Sequence, residues 1–116
     1  MTNFVYQPFT LWATGSELDV HAGFLAFSVD APTTIELVFP LHDGSGDATS
    51  YQVPRELLAA GLQHSASWGG FAVQPHSMDD WLVVTIPGRG DYYADAIVVR
   101  AFIDATAELV PLGVAA

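Results

Sequence analysis

The apolar positions of this chain fall into short blocks separated by glycine, proline and small polar residues, a spacing that belongs to strands and turns more than to long helices. Phe9 to Thr14 and Asp19 to Val29 are rich in aromatic and aliphatic residues and are parted by Gly15-Ser16, which predicts two strands joined as a hairpin. Thr33 to Phe39 partly alternates polar and apolar, and the pattern resumes at Ala48 to Val53 after the loop Asp43-Gly44-Ser45-Gly46-Asp47, which predicts a second hairpin. Gly70 to Gln74 and Trp81 to Ile86 read as strands on either side of Pro75 to Asp80. The turn Pro87-Gly88-Arg89-Gly90 then leads into a short strand over Asp91 to Ala94.

Two stretches change period. Pro54 to Gly61 has proline where a first helical turn tolerates it, good helix formers inside and glycine where helices usually end, so a short helix is expected. Asp95 can accept from the orphan amides of a first turn, which predicts a helix from Ala96 to about Ala107. On that helix Val98, Phe102, Ala105 and Leu109 are expected on one face, with Arg100, Asp104 and Glu108 opposite, and Pro111 and Gly113 end it. Strands, a short helix, strands and a longer helix, without a βαβ unit or an internal sequence repeat, predict an α+β fold in one domain over residues 1–116.

A chain of this length can bury about two thirds of the surface its unfolded form exposes, and its 51% hydrophobic residues supply the core. Only 14% of residues are charged, so the surface draws on small polar and backbone groups and suits packing against other protein. The formal charge is −10, with thirteen acidic residues against Arg55, Arg89 and Arg100 and no lysine. Nucleic-acid backbones and anionic membranes both require basic patches that this composition does not provide. The absence of cysteine excludes disulfides, thiolate nucleophiles and cysteine-based metal sites. The first residues carry no signal-peptide pattern and no apolar run approaches the roughly 18 residues of a membrane span, so a soluble, cytoplasmic protein is expected.

Candidate chemistry is sparse. The Asp43–Asp47 loop spaces oxygens as a calcium loop begins, but Ala48 and Pro54 stand where an EF-hand needs glycine and glutamate. His76 with Asp79 and Asp80 offers one imidazole and two carboxylates, but no second histidine lies at ligand spacing and a polar turn between strands is the favoured reading. Ser65 and Ser67 lack a nucleophile elbow, and His21, His42 and His64 are scattered. No catalytic residue, cofactor or metal is expected, and the chain is read as a non-enzyme.

Three stretches carry a resemblance: Pro54-Arg55-Glu56-Leu57-Leu58-Ala59-Ala60-Gly61-Leu62, the strand Gly70-Phe71-Ala72-Val73, and Phe102-Ile103-Asp104-Ala105-Thr106-Ala107-Glu108-Leu109-Val110-Pro111-Leu112-Gly113. In content and order they resemble the SsgA-like proteins of actinobacteria. That resemblance implies a whirly-like fold of two antiparallel β-sheets with a short and a longer α-helix, assembled as a homotrimer. It also implies an adaptor in sporulation septation that works by protein–protein contacts and helps localise the tubulin-like division protein FtsZ or its recruiters. Two departures are visible: Ala105 stands where many members have a basic residue, and the charged helical tail usual in the family does not follow Gly113. A whirly-like sheet also suggests an alternative, single-stranded nucleic-acid binding by stacking on Trp12, Trp68, Trp81, Tyr92 and Tyr93, but the missing cationic groove favours core or subunit-interface roles for these rings.

The matched motifs imply partner contacts at Arg55, Glu56 and Gly113, the last in a turn needing positive φ. Replacing Arg55 and Glu56 together by alanine is then expected to leave folding intact and to weaken assembly, measured as oligomer mass and partner pull-down.

Overall fold

Strand alternation gives this protein one buried and one open sheet face. The computed structural model describes residues 3–15, 20–40, 48–77 and 80–113, so Ser16, Asp19, His42, the Asp43–Asp47 loop and Asp79 lie outside the described residues. The elements are β1 (Phe4–Ala13), β2 (Val20–Ser28), β3 (Thr34–Pro40), β4 (Ala48–Pro54), α1 (Arg55–Gly61), β5 (Ala66–Trp68), β6 (Phe71–Pro75), β7 (Trp81–Ile86), β8 (Gly90–Asp95) and α2 (Ala96–Leu109). Every second residue points inward: Phe9 and Leu11 in β1, Leu25 and Phe27 in β2, and Leu82, Val84 and Ile86 in β7 are all buried.

All pairings are antiparallel, in the order β4-β3-β2-β1-β8-β7-β6-β5. This is the neighbour order of an up-and-down barrel closed by β1 against β8, with the β4–β5 pairing missing and α1 inserted there instead. The sheet curls strongly. Tyr51 of β4 and Phe71 of β6, near opposite ends of the strand order, meet edge to face with centroids 5.8 Å apart. Helix α1 packs on β4, β5 and β6 across that seam, while α2 packs on β1, β7, β8 and α1.

The α+β class therefore holds, but the two separate sheets expected are one. Leu11↔Ala94, Trp12↔Tyr93 and Ala13↔Tyr92 carry hydrogen-bonded register from the first four-strand meander into the second. β1 also begins earlier than expected, because Pro8 does not break it. Pairing with β8 starts only at Leu11, so beside Pro8 one side of β1 is a free edge where a missing amide costs nothing. The short strand β5 was not anticipated.

Asp95 caps α2 as expected, accepting from the amides of Ile97 at 2.9 Å and Val98 at 3.4 Å. The buried face of α2 is rotated from the expected one: Ala96, Val99, Phe102, Ile103 and Thr106 are buried, whereas Val98, Ala105 and Leu109 are only half-buried. A threonine on the core side disguised the period. Its hydroxyl is satisfied locally, donating to the Ile103 carbonyl at 2.7 Å.

Gly61 ends α1 as the sequence suggested, but for a different reason. It is the last helical residue and does not adopt positive φ; the C-cap is Leu62, in right-handed helical conformation. A Cβ at Gly61 would collide with Cγ1 and Cβ of Val73, so the missing side chain lets α1 lie against β6. Gly61→Ala is expected to lower stability by about 1–3 kcal/mol although alanine is the better helix former. Thermal melts check this against Gly15→Ala, a site with nothing within 4 Å of an added Cβ. Equal melting temperatures for the two variants would mean that β6 yields without strain.

Candidate functional site

Helix α1 begins where the β3–β4 ladder ends. Thr34 pairs with Pro54, and the Arg55 amide continues the pattern by donating to the Thr33 carbonyl at 2.8 Å. Pro54, extended at φ −61° and ψ 137°, is the N-cap and offers no side-chain acceptor. The turn from ladder to helix throws the Arg55 side chain inward. It was expected at a surface, yet it is only 2% exposed.

The guanidinium lies over the Phe27 ring, 5.2 Å from its centroid, and reaches the far end of α2. Nη1 donates to the Val110 carbonyl at 2.6 Å and, more weakly, to the carbonyl and hydroxyl oxygens of Thr106 at 3.4 and 3.5 Å; Nη2 donates to the Pro111 carbonyl at 3.1 Å. The last carbonyls of a helix have no partner within the helix and carry the negative end of its dipole, so a buried cation fits there. Nε is buried without an acceptor. Burial pushes the Arg55 pKa below its ordinary value, and the Glu56 carboxylate opposes that shift. The group nevertheless stays charged at neutral pH, as arginine does throughout proteins.

Glu56 is exposed, and its Oε1 accepts from the Gly113 amide at 3.2 Å. Gly113 has φ +82° with open space around it, so conformation, not room, selects glycine. The three residues singled out by motif, 55, 56 and 113, thus come together at one place. There α1 holds the chain leaving α2 by two side chains, one buried and one exposed.

The second feature is the sheet's outer face. Phe4 is 51% exposed, Tyr6 66% and Phe24 45%. With Val38 and the half-buried Glu36 they line a concavity of about 420 Å³ on β1, β2 and β3. Further along the same face Trp12 meets Trp81 edge on at 5.3 Å, Trp81 meets Tyr93 at 6.4 Å, and His76 packs on Tyr93 at 5.2 Å. These rings are half-buried and lie outside the core, whereas Tyr92 points inward and is 5% exposed. Trp68 is half exposed and stacks on Phe71. Phe4 and Tyr6 were not read as sheet residues at all; the run of aromatic and β-branched residues Phe4-Val5-Tyr6 was the available signal.

Among the described residues no group of three metal-ligating side chains forms. Asp80 sits in a turn at φ +73°, and Ser65 donates to Gln74 Oε1 at 3.1 Å. With Arg55 buried, the exposed cations are Arg89 and Arg100, which further weakens the nucleic-acid alternative.

The double alanine substitution expected above to leave folding intact must be revised, because Arg55 binds one helix to the other inside the core. Arg55→Ala is expected to cost about 3 kcal/mol, since it empties a buried position over Phe27 and strips charged hydrogen bonds from the carbonyls of Thr106, Val110 and Pro111. Arg55→Lys should recover only part of this, because an ammonium lacks the fork that reaches both Val110 and Pro111. Glu56→Ala, at an exposed contact, should cost less than about 1 kcal/mol. Urea unfolding of the three variants checks the order, and equal midpoints for Arg55→Ala and Glu56→Ala would contradict it.

The sequence model of the family described as "Streptomyces sporulation and cell division protein, SsgA" matches residues 22–114, from β2 to just past Gly113. No curated protein matches the sequence. Among solved structures, the fold is similar to an SsgA-like sporulation-specific cell division protein from Thermobifida fusca. That likeness has a TM-score of 0.82 and 23% identity, over 97% of this chain and 87% of that one. It is also similar to SsgB of Streptomyces coelicolor, whose mutations are described as correlating to longitudinal cell division during sporulation. There the TM-score is 0.75 and the identity 20%, over 97% of this chain and 92% of that one. At such identities the two structures establish the fold, and the family model, covering most of the residues, establishes membership: the chain belongs to the SsgA family of sporulation and cell division proteins.

Proposed function

We propose that this protein is a non-catalytic adaptor of sporulation-specific cell division, acting by contacts with other polypeptides that place or stabilise FtsZ at future septa. The observation that carries this reading is the outer sheet face: in a chain of this family, large aromatic side chains stand half exposed on a sheet that no second layer among the described residues covers. Contiguous apolar surface of this kind marks interaction sites. A cytoplasmic homotrimer recruited to septa is the assembly we favour, and the high apolar content, 51% of residues, supports subunit contacts. No helix among the described residues is long and apolar enough to cross a membrane, which is compatible with that location.

Removing the protein from a sporulating host is expected to reduce sporulation septa and to disperse the FtsZ rings seen by fluorescence microscopy. Light scattering of the purified chain is expected to give three copies per particle. Normal ladders of septa in the deleted strain would overturn the adaptor role, and a monomer at micromolar concentration would overturn the trimer.

A further inference from the structure

We propose that the concavity on the outer face of β1, β2 and β3 is a docking groove for a basic segment of another polypeptide, held by apolar anchors and by Glu36. The proposal rests on the adaptor reading and names the surface and the chemistry of its occupant. Cross-strand register lays out the floor: Tyr6 faces Ala26, Ala26 faces Glu36 and Glu36 faces Gln52, while Phe24 faces Val38 in the next row. The walls are therefore apolar, with Phe4, Tyr6 and Phe24 about half exposed or more.

Among the described residues Glu36 is the one charged side chain lining the groove, and no cation among them pairs with it. Asp30, exposed in the turn between the lining residues Ser28 and Ala31, adds a second carboxylate near the rim. An occupant must bring apolar side chains for the walls and positive charge for Glu36. A second copy of this chain is poorly suited, since it brings another formal −10 and, with Arg55 sealed inside, only Arg89 and Arg100 to set against its own acidic residues. Nucleic acid and anionic lipid are repelled by the same charge. A lysine- or arginine-bearing peptide segment with aromatic or aliphatic neighbours satisfies both demands, and its charges also steer encounter with an acidic protein.

The probe is a random dodecapeptide library displayed on phage, selected on the full chain and counter-selected on a Tyr6→Ser/Phe24→Ser double variant. Enriched peptides are expected to carry Lys or Arg beside large apolar residues. A fluorescein-labelled winner, titrated by anisotropy, should lose about tenfold in affinity on Glu36→Gln and more on the double variant. Asp104→Asn, on the exposed side of α2, should leave binding unchanged. Acidic or uncharged winners, or an unchanged affinity with Glu36→Gln, would overturn the proposal. So would a smaller particle mass for the double variant, which would make this face a contact between copies. Loss of septa in the deletion strain alongside a silent groove would sink this inference and leave the adaptor reading standing.

Discussion

The structure turns on a cation placed where almost nothing else charged is buried. The Arg55 guanidinium sits on Phe27 and gathers carbonyl oxygens from the end of α2 and the residues after it. Taking a charge out of water is costly, and the cost is offset only when geometry supplies several good acceptors. The chain leaving α2 supplies them: the Val110 and Pro111 carbonyls lie just past the last helical residue, and the Thr106 carbonyl, which also takes the Val110 amide, adds a weaker third. Since α1 follows the first four strands and α2 follows the last four, this one side chain ties the two halves of the chain together far from the β1–β8 ladder. Thr106 belongs to the same arrangement: its hydroxyl lies between the Ile103 carbonyl and the guanidinium, which is how a polar residue comes to be wholly buried.

That inward arrangement determines what the outside can be. Curling brings β4 and β6 together and the helices close the seam and flank β1, β7 and β8, so the inner face consumes one set of alternating side chains. The other set, from Phe4 and Tyr6 through Phe24 to Trp12, Trp81 and Tyr93, has no layer above it among the described residues. A chain that is half apolar but folds as one curled sheet has more hydrophobic surface than a single interior can absorb. With one of three cations enclosed, the exposed remainder is both oily and anionic, a combination that favours polypeptide partners over polyanions.

Much of this was legible in the sequence, and the parts that were not share physical causes. Strand and helix order apart from β5, the Asp95 cap and the turn at Gly113 followed from local chemistry, which short segments encode well. Pro8 hid the start of β1, because whether a proline is tolerated depends on which neighbour pairs beside it, and that is a tertiary fact. Thr106 hid the buried face of α2 for a similar reason: only the fold shows that its hydroxyl is satisfied. The motif reading singled out Arg55, Glu56 and Gly113 as partner contacts without relating them to one another, and the structure places them at one junction. It placed Arg55 at a surface because the matching block implied a partner contact there, and charged side chains are mostly solvated. Nothing in the one-dimensional pattern showed that a helix end fifty residues later would present its carbonyls to it.

The missing β4–β5 pairing has a consequence for how such a molecule stays solitary among other unpaired strands. An open seam leaves two rows of amides and carbonyls that could recruit foreign backbone. One row is only three residues long, in β5, and the other stops at a proline, the last residue of β4. Helix α1 spans the gap between them, anchored at one end by its guanidinium and seated at the other on Val73 through a glycine. The same short helix that joins the two meanders therefore also guards against indiscriminate strand addition, and the protein cannot release that helix without uncovering both margins at once.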